Sequence, residues 1–305
     1  MGSISHYIKD IGRGKEGARA LTRAQATDLF GQLLDGTVSD LEVGAFCLAM
    51  RIKGETADEM AGFLDATAQR MARVPAGAQP LVVIPSYNGA RRLPVLTPLL
   101  ALRVAQAGLP VLVHGTPTED ARVTVADVMQ ALDLPPWQAV GPVAGGEVAY
   151  LPTVVLCPGL QRLLEVRRAV GLRNSAHSLV KLMNPGAGAA VIVSSYTHPE
   201  YALSMAQVFK RMQTTALLLR GTEGEVVADA RRLPQMDGYI RGERIVLEEG
   251  QKGSLTALPQ LPTQIDAATT AAYIRDVMAD RLPCPAPIDT QVAHIVRLAR
   301  HLQNA

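Results

Sequence analysis

Short apolar runs alternating with helical stretches constrain this chain more than any other feature of its sequence. LVVI at 81–84, PVLVHG at 110–115, AAVIVSS at 189–195 and ALLLRG at 216–221 have the length and content of buried strands. Between and after them, 98–108, 123–134 and 199–212 carry helical spacing. Strands joined through helices run parallel, because a parallel return needs a long crossover. From 235 to 262 the pattern weakens and turns glycine-rich, and helical spacing returns at 267–279 and 290–303. The expectation is an α/β domain over 76–305, with a mainly parallel mixed sheet flanked by helices.

The first 75 residues read differently. Thr22-Arg23-Ala24-Gln25, Ser39-Asp40-Leu41-Glu42 and Thr56-Ala57-Asp58-Glu59 each match a capping box, in which a hydroxyl and a side chain three residues on satisfy orphan helix N–H groups. Gly36 and Gly54 stand where left-handed helix stops are expected. Leu41, Ala45, Phe46, Leu48 and Ala49 make an apolar face too wide for a lone surface helix. A small helical domain over 1–75 follows, hiding that face against another domain or a second copy of the chain. The segment 160–185 is expected to pack back onto it, and Pro75-Ala76-Gly77 is the expected linker.

Charge is nearly balanced at +2 over 305 residues, but it is unevenly spread. Windows 1–24, 82–103 and 159–181 carry +3, +3 and +4, so the remainder carries −8. If the windows meet in space, they make a basic surface on an acidic body. Three widely spaced cysteines, Cys47, Cys157 and Cys284, suggest neither a disulfide framework nor a zinc site. With no membrane-length apolar run and no apolar leader, the expectation is a cytoplasmic protein without a membrane partner. His114 and His177 have no carboxylate or serine at a spacing that proposes a catalytic pair, so no catalytic residue is assigned.

The order of motifs resembles anthranilate phosphoribosyltransferase and its relatives, the pyrimidine and thymidine nucleoside phosphorylases. LTRAQATDLFGQLLDGTVSDLEVGAFCLAMRIKGETADEMAGF is similar to that family's helical domain, with RIKGET its most specific piece. VADVMQALDL and VGLRNSAHSLVKLMNP are similar to later segments in the same order. The diphosphate site departs from the pattern. Where the enzymes have a GTGGD loop, this chain has Pro85, Ser86, Tyr87, Asn88, Gly89 and Ala90. Their NxST is reduced to Thr97, and their KHGN has become Val113, His114, Gly115 and Thr116. Their adjacent Asp-Glu magnesium pair is reduced to Glu223 and Glu225 with a glycine between, which leaves these two as weak metal candidates. Diphosphate departure needs metal and positioned donors to neutralise its charge, so these departures count against transferase activity.

The replacements resemble the YbiB-type branch of the superfamily. That resemblance implies a homodimer, joined through the helical domain, that binds DNA or RNA phosphates without sequence preference. The residues expected to make the contacts are Arg167, Arg168, Arg173 and Lys181, with Arg13, Lys15, Arg19, Arg91 and Arg92 in addition. The loop around Gly89 is expected to attract phosphate by charge rather than to enclose it with backbone, and Tyr87 is the one aromatic placed for stacking. The alternatives are a magnesium-dependent transferase using phosphoribosyl diphosphate with an altered acceptor, and a scaffold for an acidic protein.

Overall fold

The computed structural model describes residues 3–118, 121–254 and 258–304, with Lys15 in backbone only. Five helices come first: α1 (Ser5–Ile11), α2 (Gly14–Gly17), α3 (Arg23–Asp35), α4 (Asp40–Lys53) and α5 (Ala57–Ala68). The three expected capping boxes start α3, α4 and α5, with both reciprocal bonds present in each. Gly36 ends α3 in the left-handed conformation. Gly54 ends α4 at φ 80° and ψ 150°, an extended stop that is nearly exclusive to glycine rather than a left-handed one.

Phe30 and Phe63 stack with ring centroids 4.6 Å apart, and Phe46 meets both edge-on. They form the centre of the bundle. The specificity of RIKGET has a structural reason here. Glu59 is fully buried; its carboxylate accepts the Leu21 and Thr56 backbone N–H groups and pairs with Lys53 at 2.6 Å. A buried charge is tolerated only when its lone pairs are filled in this way.

The rest of the chain builds one seven-stranded sheet. Its strands are β1 (Leu81–Ser86), β2 (Val111–Gly115), β3 (Val148–Pro152), β4 (Ala190–Tyr196), β5 (Ala216–Arg220), β6 (Met236–Ile240) and β7 (Glu243–Glu248). The order is β3-β2-β1-β4-β5-β6-β7, with the first five strands parallel and β6 and β7 antiparallel. One face is covered by α6 (Thr97–Gln106), α7 (Val125–Ala131), α12 (Ala267–Met278) and α13 (Ala286–Gln303). The other face shares a core with the helical bundle through α8 (Thr153–Leu156), α9 (Pro158–Val170), α10 (Ala176–Leu179) and α11 (Pro199–Met212). In that layer α9 packs on α3, and α10 and α11 pack on α5.

The chain runs outward from β1 through β2 and β3, then returns to lay β4 on the other side of β1. Loops at the carboxyl ends of β1 and β4 therefore diverge, and a crevice opens between them.

Candidate anion site and basic edge

The turn after β1 enters this crevice and closes around a carboxylate from its own chain. Asn88 and Gly89 donate their backbone N–H groups to one oxygen of Glu225 at 2.9 and 2.8 Å. The hydroxyls of Ser86 and Thr97 donate to the other oxygen at 2.7 and 3.1 Å. Glu225 is 1% exposed. Two residues earlier, Glu223 accepts the successive N–H groups of Arg91, Arg92 and Leu93 at 3.1, 2.9 and 2.9 Å.

Both carboxylates hang from one tight turn. Glu223 has φ 52° and Gly224 φ 90°, the two positive angles a type I′ turn requires. Asn88 locks that turn by donating its side-chain amide to the Gly224 carbonyl at 2.8 Å. Its side-chain oxygen accepts from Arg173 at 2.9 Å. Gly89 sits at φ 63°, and a Cβ there would meet the Val123 carbonyl oxygen at 2.5 Å, so only glycine fits.

Two expectations are corrected by this geometry. The loop does enclose an anion with its backbone, and the anion is Glu225. Glu223 and Glu225 do not suit a metal, because seven donors from β1, the loop after it and α6 already bond to their oxygens. Among the described residues, no group of three or more histidine, cysteine, aspartate or glutamate side chains could hold a metal ion. Magnesium with phosphoribosyl diphosphate therefore does not fit the arrangement.

The other positions at this edge are mostly sealed as well. Tyr87 is 6% exposed and its hydroxyl lies 2.9 Å from Nδ1 of the fully buried His114, so it offers no face for stacking a base. Burial pushes His114 down to about 3 and raises Tyr87, which keeps both neutral. Gly115 ends β2 against the Ser86 carbonyl, too close for any side chain, while Thr116 is half-buried. His177 accepts from the Asn174 backbone N–H at 3.3 Å, as a residue capping its own turn.

Arginines from three segments gather outside the filled turn. Ala90 and Val123 exchange both backbone bonds at 2.9 and 3.0 Å as an antiparallel bridge, which sets Arg91 opposite Arg122. Arg122 reaches back to the Gly89 carbonyl, and Arg167 donates to the Thr118 carbonyl at 2.7 Å. Arg91, Arg92 and Arg168 are exposed, whereas Arg167 and Arg173 are half-buried and hydrogen-bonded to the edge itself. The 82–103 and 159–181 windows thus meet. Arg122 joins them unforeseen by the sequence reading: it lies between the windows, and only the bridge reveals its place.

Arg13 and Arg19 lie exposed on the bundle, in segments tied to Asp10 by an ion pair and a backbone bond. The Lys15 side chain lies outside the described residues. Lys181 is set back in a cleft of about 510 Å³ between the bundle and the sheet, with Arg51, Glu55, Arg173, His177 and His198. Burial lowers Lys181 to about 8, opposed by the nearby Glu225 charge and aided by Arg173.

A helical bundle on a mainly parallel sheet, with anion-holding turns at the switch point, defines a protein of the anthranilate phosphoribosyltransferase fold. Residues 5–71 match the model of the glycosyl transferase family helical bundle domain. The chain is 40% identical over 294 residues to the uncharacterized protein YbiB of Escherichia coli, covering 94% of this chain and 91% of that one. It is 28% identical to anthranilate phosphoribosyltransferase of Methylobacterium nodulans, covering 91% and 83%. The anthranilate phosphoribosyltransferase of Thermus thermophilus superposes with a TM-score of 0.71 at 22% identity, covering 97% and 89%. That of Saccharomyces cerevisiae, in complex with PRPP and Mg, gives 0.68 at 14% identity, covering 98% and 89%. The chain belongs to the anthranilate phosphoribosyltransferase-like superfamily of glycosyltransferases.

Proposed function

We propose that the protein binds nucleic acid through phosphates, without sequence preference, as a homodimer joined through α4. The observation that carries this reading is the convergence of Arg91, Arg92, Arg122 and Arg167 on one edge whose deeper anion turn is already filled by Glu225. Guanidinium groups spaced along an open edge suit the repeated phosphates of a polymer better than one enclosed diphosphate. Buried Tyr87 leaves phosphate contact rather than base stacking as the mode, so DNA and RNA are bound alike.

The dimer reading rests on α4. Leu41, Leu48 and Ile52 are 84%, 43% and 63% exposed, and Ala45 continues the stripe at helical spacing. An apolar stripe of this kind is stable in water when a second copy covers it.

Fluorescence anisotropy of a labelled oligonucleotide of about 30 nucleotides, titrated at several salt concentrations, tests the function, with the length chosen to span several contacts. Log affinity falls linearly with log salt, and an Arg91→Glu, Arg92→Glu, Arg168→Glu variant binds at least about tenfold more weakly with a shallower slope. These three positions are exposed, and circular dichroism of the variant checks that the fold is kept. Absence of binding at low salt refutes the reading, and heat on mixing with phosphoribosyl diphosphate and magnesium would then favour the transferase.

A further inference from the structure

Three successive backbone N–H groups converging on one carboxylate form a nest, a concavity that holds an oxyanion wherever it occurs. Arg91, Arg92 and Leu93 make such a nest, and Glu223 is its occupant at 2.9 to 3.1 Å. A second nest, from Asn88, Gly89 and two hydroxyls, holds Glu225. The two occupants differ in how firmly they are held. Glu225 is 1% exposed and is reached by buried donors from both β1 and α6. Glu223 is half-buried at the rim, and its backbone stands at φ 52°, a conformation unfavourable for a side-chain-bearing residue and retained where the surroundings hold it. The turn itself is held by Asn88 and by the Glu225 N–H bond to the Thr222 carbonyl, and the three N–H bonds to the Glu223 carboxylate add to that hold.

We propose that the Arg91–Leu93 nest is a phosphate-class oxyanion site closed by Glu223, and that an incoming phosphate displaces this carboxylate. The buried Glu225 is the permanent occupant of the deeper nest. Phosphate offers the nest more charge than a carboxylate and a third acceptor oxygen for the exposed guanidinium groups of Arg91 and Arg92. The ligand chemistry is shared by free phosphate and by the phosphate of a nucleic-acid chain; the second source rests on the function proposed above.

The test compares wild type, Glu223→Ala and the charge control Glu243→Ala, a substitution at an exposed position of β7. Binding of inorganic phosphate is measured by calorimetry, and the oligonucleotide titration is run in parallel. Glu223→Ala binds inorganic phosphate at least about tenfold more tightly than wild type, while Glu243→Ala matches wild type; removing a competing intramolecular anion by itself gives a gain of this size. If Glu223→Ala also tightens oligonucleotide binding, the phosphate comes from a nucleic-acid chain; if only inorganic phosphate tightens, it comes free in solution. A folded Glu223→Ala protein that binds inorganic phosphate no better than wild type overturns the proposal. The phosphate arm decides this even when the wild type binds no oligonucleotide, which separates the failure of this site from the failure of the proposed function. Glu225→Ala serves as a further check: its melting temperature rises with added phosphate more than that of the wild type.

Discussion

His114 shows how a phosphate-facing position can become part of a core. Side chains alternate across β2, so His114 shares its face with Leu112, in the layer packed toward the bundle, while Val113 faces the other side. The Thr153 hydroxyl donates to the Tyr87 oxygen at 3.3 Å, which leaves the Tyr87 hydroxyl to donate to His114 Nδ1. The sequence showed that this histidine had lost a lysine and an asparagine as neighbours; it could not show that the ring is shut away from solvent. The titration has a definite sign. His114 stays neutral down to about 3 when folded, against an ordinary 6.5, so in that window the unfolded chain binds more protons. Stability falls as pH drops from 6.5 toward 3, by up to about 1.4 kcal/mol per unit from this residue. Urea denaturation at pH 7 and pH 5 checks this against His114→Gln, in which the loss between the two pH values is smaller. An undiminished loss in that variant would clear His114 of the effect.

At the scale of elements, local rules were legible wherever donors and acceptors lie three or four residues apart. Thr22, Ser39 and Thr56 announced their helices because a capping box is closed within one turn. A fourth box, Thr124 with Asp127, starts α7 inside a stretch already read as helical. Strand β3 was not anticipated: its VAYLP run is short, mixed and set among glycines. The β6–β7 hairpin was equally faint, since its turn relies on Arg241 at φ 48° followed by Gly242, and arginine is no common turn marker. Helix α4 carries the prediction at this scale. In sedimentation velocity the wild type runs as a dimer and Leu41→Glu, Leu48→Glu as a monomer. Its melting temperature at low concentration stays close to that of the wild type, because both side chains are exposed in the protomer. A monomeric wild type would remove α4 as an interface.

At the scale of the whole molecule, the sheet, bundle and α9–α11 layer bring separate basic windows to one edge and leave Lys181 in the cleft behind it. Lys181 is protonated below about 8 and neutral above it. A polyanion on this edge is therefore held more tightly at pH 7 than at pH 9, and part of that loss belongs to Lys181. In anisotropy titrations at fixed ionic strength, Lys181→Arg flattens the decline because arginine keeps its charge throughout. A decline as steep in the variant as in the wild type would place the titration elsewhere.

The sequence by itself determined the capped helices, the four apolar strands, the parallel character of the sheet and the kinship, since all of these are written in periodicity, caps and motifs of short range. It also showed that the diphosphate loop had kept only Gly89 of its glycines and had lost its acidic residue. Only the tertiary structure decided what the loop became. Glu225 lies 137 residues from Asn88, and no local pattern states that its carboxylate will meet those N–H groups. Backbone donors must be filled when buried, and the fold chose which distant acceptor fills them.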